Sequence, residues 1–153
     1  MIFPDADLIK QHRLNRILAI GMMVVFPIVY LVVGFTKAGD NMTLQGASDI
    51  VFYMLLFMAI VTPMLAPFIS RVQIANVKKT PDSKVKPAGL YMTVSLVKFA
   101  LVEACYIFGL VVCLVTGSFG RMLVFYMIGA FWTAIYWPRE SQIQSFLEKL
   151  EKK

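Results

Sequence analysis

Residues 90–115 read LYMTVSLVKFALVEACYIFGLVVCLV, and this stretch decides the fold. It carries only two formal charges, Lys98 and Glu103. A helix needs about 20 predominantly apolar residues to cross the hydrocarbon core of a bilayer, and this run exceeds that. Its apolar residues are continuous, whereas a membrane barrel strand alternates at every second position. Three further stretches have the same character: Ile17 to Phe35, Ile50 to Ser70, and Met122 to Trp137. The last is short, and Phe119 and Trp137 complete it at the interfaces, giving a span over about 120–137. The expected fold is an all-α integral membrane four-helix bundle made of two helical hairpins. A single membrane domain fills residues 1–153.

Composition agrees. Apolar residues make up 59% of the chain, charged residues 16%, and mean hydropathy is +0.72. Soluble domains run at about 45–50% apolar and about 25% charged. A soluble enzyme is therefore excluded, and so is a disordered chain, which needs low hydrophobicity. Two cysteines make no disulfide framework. One histidine, His12, makes no His/Cys metal cluster. No nucleophile–base pair, phosphate loop, metal motif or cofactor motif is visible, so no catalytic residue, metal or cofactor is expected.

The net charge of +6 follows topology. Lys10, Arg13 and Arg16 precede the first span; Arg71, Lys78, Lys79, Lys84 and Lys86 lie between the second and third; Arg139, Lys149, Lys152 and Lys153 follow the fourth. With Lys98 that is 13 basic residues on one side, against Lys37 and Arg121 on the other. The positive-inside rule then puts both termini in the cytoplasm and the chain in the cell's inner (cytoplasmic) membrane. Anionic lipid adds to the same attraction. A basic excess alone is weak evidence for nucleic acid, and none is expected as a partner.

The N-terminal apolar run is longer than a signal-peptide h-region and no small-x-small site follows it, so it reads as a signal anchor. Residues 5–16 read as an interfacial helix with Leu8 and Ile9 as apolar contacts. Residues 71–89 form a polar cytoplasmic loop containing Pro81 and Pro87. The short link around Gly117 predicts a tight hairpin between the third and fourth spans. In the tail, over 138–153, Pro138 suits a helix start. Ile143, Phe146, Leu147 and Leu150 then follow helical spacing. This amphipathic helix either lies on the membrane surface or docks a partner. Val51-Phe52-Tyr53-Met54 recurs as Val124-Phe125-Tyr126-Met127, and Leu31-Val32-Val33 as Leu110-Val111-Val112, which suggests a duplicated hairpin.

Glu103 has no apolar explanation. An ionised side chain at mid-bilayer costs at least about 2.5 kcal/mol even on lenient scales. The group lowers that cost by facing the bundle, by pairing, or by keeping its proton. Lys98 is five positions away and off the face of Glu103, since helical neighbours lie three or four apart; it snorkels toward the interface. Thr62, at mid-depth in the second span, and Tyr106, one turn along, are the candidate partners. Cys105 and Thr93 are weaker ones. Pro27, Pro63 and Pro67 each free a carbonyl and can kink their helices. A neutral carboxyl near a water path relays protons; one sealed in the bundle only fixes packing. The residues leave both readings open.

The stretch Leu101-Val102-Glu103-Ala104-Cys105-Tyr106-Ile107-Phe108-Gly109-Leu110-Val111-Val112 resembles the carboxylate helix of rotary ATPase proteolipids, the subunit c family of ATP synthases. There a mid-membrane Glu is followed by Ala or Thr and then by Ile-aromatic-Gly-Leu-Val. The resemblance covers mainly residues 71–115. It implies an ion-binding carboxylate at Glu103, with Ala104 in place of a hydroxyl favouring a proton over sodium. It implies a stalk-docking role for Arg71 and Gln73, which loosely match the family's loop. The second span, Val51 to Ile69, lacks the family's glycines. The expectation is a diverged proteolipid-like protein within a larger membrane complex or a homo-oligomer, with the lipid bilayer as its surroundings. The alternative is a non-catalytic accessory or assembly protein in which Glu103 is a structural hydrogen-bonding residue.

Overall fold

A computed structural model describes residues 6–37, 48–79 and 87–139, together with Gln142 and Phe146. Among these residues the chain is all-helical, with no strand. In chain order the helices are α1 (Ala6–Ile20), α2 (Phe26–Lys37), α3 (Ser48–Met64), α4 (Ala66–Lys79), α5 (Pro87–Thr116) and α6 (Phe119–Tyr136). A π-helical turn, Gly21–Val25, joins α1 to α2 without a break. The expected interfacial helix before the first span is thus continuous with it.

Among the described residues, three helices are long and apolar enough to cross a membrane: Ile9–Lys37, Gly89–Thr116 and Phe119–Tyr136. The pair α3 and α4 passes the same test together, bent by 40° at Leu65, and makes a fourth if taken as one span. The surface is that of a membrane protein. Phe57, Phe68 and Met127 are among the most exposed side chains, while Glu103 is 9% exposed. Water would favour the opposite distribution; lipid favours this one.

α5 is the centre, and every other helix packs on it. The extensive contacts of α2 and of α3 are with α5 and α6 and not with each other. The first two spans therefore flank α5 instead of forming a closed hairpin of their own. On α5 the residues Thr93, Ala100, Ile107 and Leu114 form one exposed line, seven positions apart. Ser95, Val102 and Gly109 are buried at seven-residue intervals, and Tyr91, Cys105 and Val112 are buried at intervals of fourteen and seven, with half-buried Lys98 between the first two. A seven-residue repeat keeps one seam facing its neighbours.

The ends of the bundle are defined by contacts. Tyr91, at the start of α5, meets His12 of α1 and Phe146 of the tail. At the far end Phe35 meets Phe119, and Arg121 pairs with Asp49 at 2.6 Å. This last pair is exposed and worth little by itself. α5 ends at Gly117, whose φ of 64° suits glycine; its N–H reaches the Cys113 carbonyl at 2.8 Å. That is a left-handed C-terminal cap. Ser118 then caps α6 by accepting from the Arg121 N–H, so two residues make the turn.

The prolines are matched by side-chain donors. Pro63 has no N–H for the carbonyl of Ala59, four residues earlier. Cys105 Sγ–H donates to that carbonyl at 3.2 Å. Pro67 likewise leaves the Pro63 carbonyl, and the Tyr136 hydroxyl donates to it at 2.9 Å. The chain bends between the two prolines. At Pro27 the response differs. The preceding turn widens, with the Phe26 N–H bonding the Gly21 carbonyl, which makes room for the ring. The Tyr126 hydroxyl donates to the Pro27 carbonyl at 2.9 Å.

The repeated tetrapeptides meet: Phe52 and Phe125 pack edge-to-face, ring centroids 5.9 Å apart. The repeat is not symmetric in environment, since Tyr53 is exposed and Tyr126 half-buried.

α5 and α6 approach closely at Gly109. A Cβ there would lie 2.9 Å from Phe125 Cβ and 3.2 Å from the Met122 carbonyl oxygen. Neither neighbour is the loose end of a side chain. Gly109→Val should destabilise the protein by about 1–3 kcal/mol through overpacking. Gly120→Ala, whose Cβ would meet only Ser118 Oγ at an ordinary contact of 4.0 Å, should stay within about 0.5 kcal/mol of wild type. Equilibrium unfolding in mixed micelles measures both.

Candidate functional site

Glu103 lies on α5, four residues before exposed Ile107 and three after exposed Ala100. Residues three and four apart share a helix face. The carboxyl therefore sits at the border between the packing surface of α5 and its exposed line. What covers it is Tyr30 of α2, whose hydroxyl donates to Glu103 Oε1 at 2.9 Å. Tyr30 is itself only half-buried. The site is a carboxyl at the edge of the bundle under an aromatic cap.

The other named candidates fall around it. Tyr106 is buried, and its hydroxyl is 2.9 Å from Thr133 Oγ1 of α6. Its ring fills the space left by Gly129, where a Cβ would come within 2.7 Å of it. Thr62 is half-buried beside the α3–α4 bend, and its carbonyl accepts from the Leu65 N–H at 3.2 Å. The hydrogen bond described for Glu103 is to Tyr30, and neither Thr62 nor Tyr106 supplies it. Cys105 and Cys113 are free buried thiols, and both donate to carbonyls of neighbouring helices, at Ala59 and Gly34. Thr93 donates to the Gly89 carbonyl of its own helix.

Among the docking candidates, Arg71 is exposed on α4. Gln73 is half-buried with its Oε1 enclosed and lacking a hydrogen-bond partner. Both lie on a helix, where a loop was expected from residue 71 onward. Phe146 is buried, its ring 5.2 Å from that of Tyr91. Ile143, Leu147 and Leu150 lie outside the described residues, as do residues 80–86 of the polar loop.

A polar cluster that the sequence reading did not single out sits at the end of the bundle where α5 begins. His12 Nδ1 is 3.0 Å from the Tyr91 hydroxyl. Gln11 Nε2 contacts Met92 Sδ. Asn15 is fully buried. Asn15 is four residues after Gln11 and three after His12, which places it on the face of α1 that both border. Among the described residues, no group of three or more His, Cys, Asp or Glu could hold a metal ion.

No protein-family model matches the chain, and neither a curated protein nor a solved structure shows significant similarity to it.

The Tyr30–Glu103 bond can be weighed by a double-mutant cycle. Tyr30→Phe combined with Glu103→Gln should show a coupling of roughly 0.5–1.7 kcal/mol, the range measured for side-chain bonds between membrane helices. Tyr106→Phe with Glu103→Gln should couple far less. Unfolding titrations in mixed micelles give both cycles.

Proposed function

We propose that this chain is a four-span, proteolipid-like subunit of a larger membrane complex, and that Glu103 binds and transfers a proton. The observation that carries this reading is the position of the carboxyl. It lies at the edge of α5 next to the exposed line of Ala100 and Ile107, closed off by a half-buried Tyr30. A carboxyl meant only to lock helices together is best placed deep in a seam. One that exchanges a proton with a neighbouring subunit must come to a helix edge and have a cover that can move. Rotation of the Tyr30 side chain supplies that movement without disturbing the backbone. The resemblance of residues 101–112 to the carboxylate helix of rotary ATPase proteolipids supports the same role. The partners in this reading are other membrane subunits or further copies of the chain.

A second reading rests on a different observation. Buried polar groups around Glu103 are engaged in bonds between helices, as at Tyr106–Thr133 and Cys105–Ala59. On that pattern Tyr30–Glu103 is one more cross-link, and the chain is an accessory or assembly protein.

The two part on proton movement. In liposomes carrying an imposed potential, wild type should pass protons several-fold faster than Glu103→Gln. A membrane-soluble carbodiimide should modify Glu103, and faster in Tyr30→Ala than in wild type. Equal flux in wild type and Glu103→Gln, with no carbodiimide adduct in either Tyr30 background, would sink the relay and leave the cross-link.

The orientation in this reading is both termini inward, in the cytoplasmic membrane, with 13 basic residues on that side. Cysteine introduced as Gly120→Cys should react with an impermeant maleimide from outside intact cells. Ser83→Cys should react only after the membrane is opened. The reverse pattern would invert the topology.

A further inference from the structure

The cover on Glu103 comes from α2, and α2 is seated on the α5–α6 hairpin along one face. Pro27, Tyr30 and Gly34 lie at positions i, i+3 and i+7, which share a helix face. Pro27 and Gly34 are buried, and Tyr30 between them is half-buried. At Gly34 a Cβ would collide with Met122 Sδ of α6, and the carbonyl accepts from Cys113 Sγ of α5 at 3.4 Å. At Pro27 the carbonyl accepts from the Tyr126 hydroxyl of α6 at 2.9 Å. The cap on the carboxyl thus stands between two ties to the hairpin.

The tie at Pro27 leads back to Glu103. The Tyr126 ring packs edge-to-face on Tyr106, ring centroids 5.1 Å apart. Tyr106 follows Glu103 by three residues on α5, on the same face. It is held in turn by α6, its hydroxyl 2.9 Å from Thr133 Oγ1. The contacts close into a circuit. They run from Glu103 to Tyr106 along α5, to Tyr126 by ring packing, to Pro27 by a hydrogen bond, to Tyr30 along α2, and back to Glu103 Oε1.

We propose that Tyr126 is a positioning residue for the Glu103 site. Its bond to the Pro27 carbonyl sets the seat of the α2 turn that carries Tyr30, and through that turn the cover on the carboxyl. Tyr126 acts on the backbone, so it places the whole turn and not one rotamer. α2 needs a tie of its own, because the π turn puts the residues after it out of phase with an ideal continuation of α1. In hydrocarbon neither the hydroxyl nor the carbonyl has water as an alternative partner. The consequence for proton exchange rests on the reading of Glu103 given above; the placement of the cover does not.

The test is infrared difference spectroscopy of the full chain in lipid bilayers, with proton flux read in liposomes on the same variants. The band of the Glu103 carboxyl is assigned by its loss in Glu103→Gln. Tyr30→Phe, which removes the direct donor, should shift that band. Tyr126→Phe keeps its ring on Tyr106 and should shift the band in the same direction. Added to Tyr30→Phe, it should shift it no further. Tyr136→Phe removes the same kind of bond, a tyrosine hydroxyl to the Pro63 carbonyl, and should leave the band in place. Flux in Tyr126→Phe should exceed that of wild type several-fold. An unmoved band in Tyr126→Phe would overturn the proposal. So would an added shift in the double variant, or an equal shift in Tyr136→Phe, which would mark general loosening. Wild-type flux in Tyr126→Phe, where Glu103→Gln abolishes flux, would overturn it as well. A band that moves as expected, with equal flux in wild type and Glu103→Gln, would uphold Tyr126 as the residue that places the cover and overturn the proton reading alone.

Discussion

Pro63 and Pro67 remove two backbone donors from neighbouring turns of a helix that lies in apolar surroundings. A carbonyl left without a partner there has no water to turn to, and each such group costs several kcal/mol in hydrocarbon. The bundle meets this constraint from outside the helix. Cys105 of α5 reaches the Ala59 carbonyl, and Tyr136 of α6 reaches that of Pro63. These two bonds fix where the bent α3–α4 unit sits against the α5–α6 hairpin. They also fix the rotation of α5, because Cys105 must point toward α3. Once that rotation is set, Glu103, two positions earlier, turns toward α2 and the exposed line.

The same logic explains why α5 can tolerate its carboxyl. α5 is covered by neighbours along most of its circumference; the line from Thr93 to Leu114, with Val111 beside it, faces outward. Glu103 gains cover from α2 by being next to that line and not on it. A shift of one residue in register would carry the carboxyl out of reach of Tyr30. The close approach at Gly109 opposes such a shift, because a side chain at either neighbouring position would meet Phe125 and the Met122 backbone.

The helices were legible in the sequence because a bilayer imposes so simple a rule: about 20 apolar residues, few charges. The bend was legible from Pro63 and Pro67. The tight α5–α6 turn was legible from Gly117. The partner of Glu103 was not, and the reason is geometric. His12 pairs with Tyr91 and Gly34 with Cys113, and both pairs are separated by 79 residues. That register places Val24 level with Glu103. Tyr30 bonds it across a separation of 73, about 9 Å further along its helix at 1.5 Å per residue. A long side chain in a helix points back toward the N-terminus, so Tyr30 covers the turn below its own Cα. The π turn at Gly21–Val25 adds a local shift that no hydropathy pattern records. Residue spacing within α5 pointed to Tyr106, and depth pointed to Thr62; neither accounts for a tyrosine leaning in from another span.

The polar end of the bundle escaped for a different reason. Gln11, His12 and Asn15 stand among charged residues in a stretch of low hydropathy, which reads as an interfacial helix with its polar side chains in the headgroup layer. Burial depends on what covers them, and the cover comes from α5, some 79 residues away in sequence. The tail adds Phe146 to the same cluster through Tyr91. Tyr91 therefore has two loads: it ties α1 to α5 through His12, and it seats the tail beside a cavity lined by Ser95 and Lys98. The π turn lies between that end of the first span and Tyr30, the cap on Glu103. Single π-helical turns inside helices are rare and often mark functional sites. The two polar sites of the molecule are thus joined by one continuous helical span that contains the π turn.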